Sequence, residues 1–435
     1  MGYITLLILL LILAIFFYKM FKKEIVCPTV ITCLSFFLIV LGAFMGTSEG
    51  SWNNIQNLKS ATVLYIFLGV FSFGVGEFFA RSFRIKKSTS QKNIKNEVIR
   101  IDYMKNIIMI CFISVTIVLL YLNLRSIVGG GSLSSIINGY KSSSVLYNEN
   151  ALEEGATINS LVMNMLRFCE MAGVVYIYIV IRNLLVGDKI SKNFFYILPI
   201  ILSMFLSLLV GGRTVLLKLL MAALMIWAIL YTKDHKLPVN KFFKLSIKIA
   251  VVFIPVCYFI LPLLGGTTSA GIVDYASFYL GSQIPAFDIF LDSPITLSQY
   301  PWEKTLGGIQ MFLSKFGIAS WSSFQSEWIY FTPELYSNLF TQFKPFYLDM
   351  GVLGLIIYPM IFGYVFAKLY IYAKEKENCR YLIFFAYFAI YLIDQARSNV
   401  FFNSFLSTRT VIYWLFMMII TYFLFGKTKI RNGEI

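Results

Sequence analysis

The chain has 435 residues, of which 58% are hydrophobic and 17% aromatic, and its mean hydropathy is +0.74. This composition excludes a soluble globular protein, because such a chain could not hide so much apolar surface from water. The net charge of +15 at pH 7 lies almost entirely in alternate loops. This distribution indicates membrane topology and contact with anionic lipid rather than nucleic-acid binding.

Apolar runs close to the ~20 residues that cross a bilayer recur along the whole chain. Their continuous apolarity excludes a transmembrane β-barrel, whose strands alternate and are shorter. We therefore predict an all-α polytopic membrane protein with about eleven transmembrane helices and a single integral membrane domain over residues 1–435. The predicted spans are 2–20, 28–47, 61–80, 107–125, 157–182, 194–210, 214–232, 247–264, 346–372, 381–396 and 410–425.

The first apolar run resembles a signal peptide in length only. It lacks a basic segment before it and a small-residue cleavage site after it, and its charges, Lys19, Lys22 and Lys23, follow the run. We expect it to be a retained helix whose N-terminus lies outside.

Lysine and arginine are divided unequally between the two sides of the predicted topology. One side holds 26 of the 37 basic residues, and every alternate loop fits the same division. Basic loops stay in the cytoplasm, so the C-terminus is predicted to be cytoplasmic and the N-terminus to lie on the outer side. The predicted cytoplasmic segments are 19–23, 81–106, 182–193, 233–248, 368–380 and 427–435.

Metal and nucleotide cofactors are not expected. No cysteine spacing suggests a metal site, and the lone His235 lies among lysines in a predicted cytoplasmic loop. Neither a P-loop nor a Gly-x-Gly-x-x-Gly turn after a strand is present in the sequence. ATP hydrolysis is therefore not indicated.

The predicted outer loop over 265–345 is about eighty residues long, which is too long for a passive connector. Short helices on the membrane surface are expected near 288–292 and 302–316. The loop is rich in tyrosine and tryptophan, including Trp302 and Trp328. Such rings suit an interfacial belt, but they also suit platforms for sugar rings.

Several charges fall within or beside predicted spans, where each costs ~2.5–3.5 kcal/mol at the helix centre. Arg167 and Glu170 are three residues apart and form an internal ion pair in the simplest interpretation. Asp394 and Arg397 have the same spacing. Arg409 begins the last helix, where its guanidinium can reach the lipid headgroups.

Arg213 follows Gly211-Gly212 at a turn between two apolar runs, and no acidic residue is near it in sequence. Its guanidinium can extend to the headgroups, or it can bind an anion together with the start of the next helix. A helix N-terminus has unpaired N–H groups, and a guanidinium matches phosphate oxygens. Lys218 can add charge from below, so the second interpretation predicts a diphosphate site.

Two motifs resemble a known family. Gly211-Gly-Arg-Thr214, and the "N-x-x-T … Y-x-D-x-G-x-x-G" pattern inside residues 338–354, resemble the bacterial oligosaccharide repeat-unit polymerases, the Wzy-type O-antigen or capsule polymerases. The similarity covers roughly 200–370. The second pattern is matched by Asn338, Thr341, Tyr347, Asp349, Gly351 and Gly354.

The resemblance implies a GT-C-like integral glycosyltransferase that works at the periplasmic face of the inner membrane. It would transfer a growing glycan from undecaprenyl diphosphate to a lipid-linked repeat unit, and a chain-length regulator is a possible partner. Diphosphate is then the leaving group, and fixed cations stabilise the charge that develops on it. The expected substrate-binding residues are Arg213, Arg397, Arg409, Lys218, Tyr347 and Trp328.

A carboxylate of the large loop is expected to deprotonate the acceptor hydroxyl, and Asp274, Asp288 and Glu327 are equal candidates beside Arg213 in the catalytic set. Asp349 has a simpler expected role at a helix start near Gly351.

Three alternatives remain at this point. An O-antigen ligase would use the same donor with a lipid A core acceptor. A lipid-linked oligosaccharide flippase would need no chemistry, but the long outer loop counts against it. An assembly scaffold would leave the outward arginines without a function.

Overall fold

A computed structural model describes residues 1–48, 52, 57–83, 98–140, 158–210, 213–234, 237–260, 272–318, 328–331, 336–376 and 378–426. Helices are numbered α1–α17 in chain order. They are α1 Gly2–Met20, α2 Pro28–Ser48, α3 Ser60–Ser82, α4 Tyr103–Val128, α5 133–140, α6 Ser160–Leu185, α7 Phe194–Leu209, α8 Arg213–Asp234, α9 Val239–Ile260, α10 Ile272–Gly281, α11 Gln283–Phe290, α12 Gly307–Ser314, α13 Phe343–Met350, α14 Gly354–Glu375, α15 Cys379–Phe388, α16 Tyr391–Asp394 and α17 Thr408–Phe425.

Shorter elements connect some of these helices. 3₁₀ turns precede α7 and α14, at Ile190–Asn193 and Gly351–Leu353, and a π-helical turn occupies Phe401–Phe405. Two short antiparallel strands, β1 Ile329–Tyr330 and β2 Tyr336–Ser337, form a small ladder in the loop before α13.

The prediction of an all-α, multi-pass membrane protein is confirmed. Within the described residues, nine helical segments are long and apolar enough to cross a membrane. They are Gly2–Met20, Pro28–Thr47, Ser60–Ser82, Tyr103–Val128, Ser160–Leu185, Ile190–Leu209, Val215–Thr232, Phe343–Glu375 and Thr408–Phe425. The predicted span at 247–264 falls largely in α9, which is not among the nine.

The predicted span at 381–396 is not one continuous helix. The chain leaves helical geometry between α15 and α16, and it is irregular again between the end of α16 and the π-helical turn. Backbone of this kind is tolerated in an apolar setting only where protein groups satisfy it. Here the Gln395 carbonyl accepts from the Gln342 N–H at 3.1 Å, and Gln395 Nε2 donates to Thr32 Oγ1 at 2.6 Å.

The chain forms two compact units, each assembled from three stretches of sequence. Unit 1 comprises 1–88, 270–371 and 391–410, and unit 2 comprises 89–269, 372–390 and 411–435. Whether they act as the predicted single membrane domain stays a prediction.

One end of unit 1 is held by a partly buried ionic cluster around the buried Glu77. Arg81, at the end of α3, donates to Glu77 Oε1 at 2.6 Å and to Glu24 Oε2 at 3.1 Å. Glu77 also accepts from the Thr29 N–H and hydroxyl at the start of α2. Tyr370 on α14 donates to Glu24 at 3.3 Å. These contacts bring the ends of α1, α3 and α14 and the start of α2 to the same side, as the predicted topology requires.

The opposite end of unit 1 carries the large loop. Asp288 on α11 accepts hydrogen bonds from the Lys59 N–H and the Thr62 hydroxyl, and these residues lie at the start of α3. An ion pair joins Lys59 to Asp292. The loop therefore contacts the connection before α3, which the topology also assigns to the outer side.

Unit 2 packs α4, α6, α7 and α8 around an apolar core. Gly173 on α6 lets α7 and α8 approach, because a Cβ there would lie 3.1 Å from Ser203 and 3.5 Å from Leu219. Side-chain caps begin two of the helices: Asp102 accepts from Met104 N–H on α4, and Asn159 accepts from Leu161 N–H on α6. The core at one end is formed by Ile113, Leu120, Leu124, Ile136, Ile137, Ile158, Val162, Leu166, Cys169, Leu206 and Leu209.

Candidate functional site

Two tyrosine hydroxyls donate hydrogen bonds to the Glu170 carboxylate inside unit 2. Glu170 is buried on α6, and its Oε2 accepts from Tyr387 Oη at 2.9 Å and from Tyr413 Oη at 2.8 Å. The predicted ion pair with Arg167 is therefore replaced by two phenol hydrogen bonds. Arg167 Nη1 instead donates to Asn164 Oδ1 at 2.9 Å, and no carboxylate of the described residues lies within 4.0 Å of its guanidinium.

Lys218 on α8 faces the same tyrosine pair. Its Nζ lies 5.7 Å from the Tyr387 ring centroid, and the Tyr387 and Tyr413 rings are 4.7 Å apart. Within the described residues Lys218, like Arg167, has no carboxylate within 4.0 Å. Lys218 therefore lies near the aromatic pair whose hydroxyls donate to Glu170, and Arg167 lies three residues before Glu170 on α6.

Lys218 and Arg213 lie on the same helix, fewer than two turns apart. Arg213 begins α8, and Lys218 follows five residues later, or about 7.5 Å along the helix axis. Arg167 is seven residues after Ser160 at the start of α6, about 10 Å along it. The Gly211-Gly212 turn and the Arg213 side chain lie outside the described residues.

In unit 1, Asp349 fastens the large loop to the membrane helices. Asp349 is in the last turn of α13 and is buried. Its carboxylate accepts from the Lys304 N–H at 2.9 Å and from the Thr305 N–H at 2.7 Å. The expectation that Asp349 starts a helix near Gly351 was wrong: α13 ends there, and Asp349 binds a loop forty-odd residues earlier in the chain.

The glycines of the same motif form the corner after α13. Gly351 has φ 57° and ψ −139°, a conformation that is essentially restricted to glycine. Gly354 is required for close approach, since a Cβ there would lie 2.0 Å from the Phe346 carbonyl oxygen. Tyr347 packs its ring 5.4 Å from that of Tyr65 on α3. The motif therefore forms a loop clamp and a helix corner.

Arg397 has only a loose ionic contact. Its Nη1 lies 3.8 Å from Asp394 Oδ1, which confirms the pairing but is too long for a hydrogen bond. Arg397 Nε is buried and has no hydrogen-bond partner among the described residues. Arg409 is exposed at the start of α17 and forms no ion pair within the described part of the chain.

The structure describes only one of the three predicted bases in full. Asp288 is engaged by Lys59 and Thr62, where it caps the start of α3. The Asp274 side chain and the whole of Glu327 lie outside the described residues. Trp328, beside β1, is half-buried. The catalytic and binding roles assigned to these residues stay predictions.

Sequence reasoning missed the phenol pair and the role of Gln395. Tyr387 and Tyr413 are separated from Glu170 by more than two hundred residues, so no local spacing could have connected them. Buried Gln395 links Gln342 to Thr32, at 2.9 Å and 2.6 Å. Among the described residues, no group of three or more His, Cys, Asp or Glu side chains could hold a metal ion.

Comparison of the sequence with protein-family models and with curated proteins, and of the fold with solved structures, gives no match.

Proposed function

We propose that the protein polymerises undecaprenyl-diphosphate-linked oligosaccharide repeat units into O-antigen or capsular polysaccharide. In this proposal it is a GT-C-like glycosyltransferase of the bacterial inner membrane, with its active side and N-terminus in the periplasm. The donor's lipid diphosphate leaves as the new glycosidic bond forms to an acceptor hydroxyl.

The observation that carries the proposal is the pair of cations in unit 2. Among the described residues, Arg167 and Lys218 lack a carboxylate within 4.0 Å, although Glu170 is only three residues from Arg167. An intramembrane cation that no carboxylate contacts is costly and is a functional-site hypothesis by default. A diphosphate would supply the missing negative charge, and it is the group that this reaction must bind and release.

A second observation is the way in which the loop is held. The carboxylate that binds the loop backbone, Asp349, belongs to the sequence pattern that resembles the polymerases. A loop fixed on its helices can present an acceptor in one orientation, which is how binding contributes to transfer. A flippase has no need of such a loop.

Roles within the proposed site are assigned from the sequence together with these contacts. Arg213, at the head of α8, is the main ligand of the diphosphate, with Lys218 and Arg167 below it. For Arg397 and Arg409, which belong to unit 1, the ligand role implied by the resemblance stays a prediction. The base remains open among Asp274, Asp288 and Glu327. Asp349 is not proposed as base, because two backbone N–H groups already occupy its carboxylate.

The test replaces Arg167 by Gln and Arg213 by Ala in a strain that lacks the native gene. We expect Arg213→Ala to abolish long-chain polysaccharide while the single-repeat glycolipid accumulates. Loss of a charged hydrogen bond is worth ~1.5–3 kcal/mol, so Arg167→Gln should reduce long chains about 10–100-fold. Gel electrophoresis and mass spectrometry of the glycolipids measure both.

Lys192→Gln is the matched control, because Lys192 is an exposed cation at the opposite end of unit 2. It should leave the length distribution unchanged, and protein levels in the membrane fraction must be equal in all strains. Full-length chains in either arginine variant would refute the diphosphate site. Purified protein incubated with lipid-linked repeat unit alone separates the rivals: a ladder indicates a polymerase, whereas a requirement for lipid A core indicates a ligase.

A further inference from the structure

Two exposed aromatic rings are stacked in the large loop. Tyr300 and Trp302 have ring centroids 5.6 Å apart and planes inclined by 13°. Their side chains belong to residues that are 49% and 50% exposed. Stacking therefore uses only part of the ring surface, and an apolar area that no other described group covers stays open.

The backbone that carries these rings is fixed on both sides. Tyr358 on α14 donates to the carbonyl of Pro301, which lies between the two rings in sequence. The Ser298 N–H donates to the Leu348 carbonyl at 2.8 Å, and the Asp349 carboxylate binds the backbone that follows. Exposed rings on an immobilised backbone lose little conformational entropy when they bind, so this is a preorganised surface.

The neighbours of the rings are charged. Glu303 and Lys304 form a part-exposed ion pair of 2.9 Å, in which the Lys304 hydrogen bond lowers the pKa of Glu303. A firmly ionised carboxylate next to Trp302 disfavours insertion into lipid, because charge is expelled from the hydrocarbon region. A water-facing site that combines ring faces with charged hydrogen-bonding groups matches a sugar, which has an apolar C–H face and hydroxyl edges.

We propose that Tyr300 and Trp302 form a platform on which a pyranose ring of the acceptor saccharide stacks, while Glu303 and Lys304 bind its hydroxyl groups. The identity of the ligand rests on the proposed function, since a repeat-unit polymerase must hold its acceptor on the side where the large loop lies. The ring pair sets the orientation and affinity of the acceptor and takes no part in the chemistry.

A kinetic experiment tests the platform in the purified full-length protein in nanodiscs. With donor at saturation, Trp302→Ala should raise the acceptor KM about tenfold, as expected for loss of one aromatic contact, and leave kcat within about twofold. Trp302→Tyr should restore most of the affinity. Phe316→Ala is the matched control, because Phe316 is a 65% exposed ring of the same loop, and its KM should not change.

A binding experiment keeps the platform separable from the polymerase proposal. The fluorescence difference between wild type and Trp302→Phe isolates the Trp302 signal, which should be quenched by iodide and not by brominated lipids. The probe is the oligosaccharide released by mild acid from the host's own surface polysaccharide, and it should protect Trp302 from iodide.

Three outcomes would overturn the platform, and one would refute only the polymerase activity. Quenching by brominated lipids would mean that the rings belong to an interfacial belt and would overturn the platform. Absence of protection by the saccharide, or an unchanged KM in Trp302→Ala, would also overturn it. Protection of Trp302 by the saccharide in a protein that makes no polymer would support the platform and refute only the polymerase activity.

Discussion

At the scale of single residues, the carboxylates of this protein differ in which groups donate hydrogen bonds to their oxygens. Glu170 is bound by two phenols and Asp349 by two backbone N–H groups. Asp288 is bound by the start of α3. Glu170 and Asp349 are therefore committed to holding a neighbouring segment, and a carboxylate used in this way has fewer lone pairs for a substrate proton. Both hydrogen bonds to Asp288 fall on Oδ1, so Asp288 stays a candidate base.

The loop clamp can be tested by Asp349→Asn. The amide would set an NH₂ group or a single oxygen against the N–H groups of Lys304 and Thr305, which leaves a buried donor unsatisfied. We expect a loss of ~1–3 kcal/mol in the free energy of unfolding, and faster proteolysis of the loop. Thermal unfolding in nanodiscs and limited proteolysis measure these.

Asp292→Asn is the control for that change, because its ion pair with Lys59 is exposed and such pairs contribute ~0–1 kcal/mol. Equal stability losses in the Asp349 and Asp292 variants would contradict the clamp.

At the scale of elements, two glycines with positive φ have different requirements. Gly129 ends α4 with φ 87° and ψ 7°, the left-handed region that asparagine also adopts. Gly351, after α13, has φ 57° and ψ −139°, which lies outside that region. Nothing lies within 4 Å of the Cβ position at either glycine, so the comparison isolates backbone conformation.

Substitution of both glycines by asparagine therefore separates these two requirements. Gly129→Asn should change the free energy of unfolding by a few tenths of a kcal/mol, whereas Gly351→Asn should cost about 1–3 kcal/mol through backbone strain. The corner between α13 and α14 would then distort, and polymer length should fall with it. Equal effects at the two sites would contradict the assigned conformations.

At the scale of the whole molecule, the paired helix ends follow the charge pattern. In unit 1 the contacts of Arg81 gather the predicted inner ends, and the contacts of Asp288 gather predicted outer segments. In unit 2, the Ile99 N–H donates to Asn183 Oδ1 at 2.7 Å and so joins the predicted inner ends of α4 and α6. The direction in which these ends face in the cell stays a prediction.

Cysteine labelling tests that direction. In a background whose native cysteines are replaced, Lys315→Cys should react with a membrane-impermeant maleimide in intact spheroplasts, because 315 is exposed in the predicted outer loop. Lys192→Cys should react only after permeabilisation. Mass shift on a gel measures both, and the reverse pattern would invert the topology and refute a periplasmic active side.

The sequence by itself was sufficient for the class of protein and for most of the helices. Length and continuous apolarity decide whether a segment can cross a bilayer, and both are local properties that can be read without knowledge of neighbours. The sequence also indicated that Asp349, Gly351 and Gly354 belong together, but it could not say that the carboxylate binds a distant loop.

Only the tertiary structure decided which groups pair across the chain. Arg167 and Glu170 have ion-pair spacing, yet Tyr387 and Tyr413 approach the carboxylate from two other helices and replace the pair. The span predicted at 381–396 breaks where backbone from elsewhere in the chain supplies a partner, since the Gln342 N–H donates to the freed Gln395 carbonyl. Local propensity is set by near neighbours, whereas the partners of a buried charge or an open backbone group are set by packing between segments hundreds of residues apart.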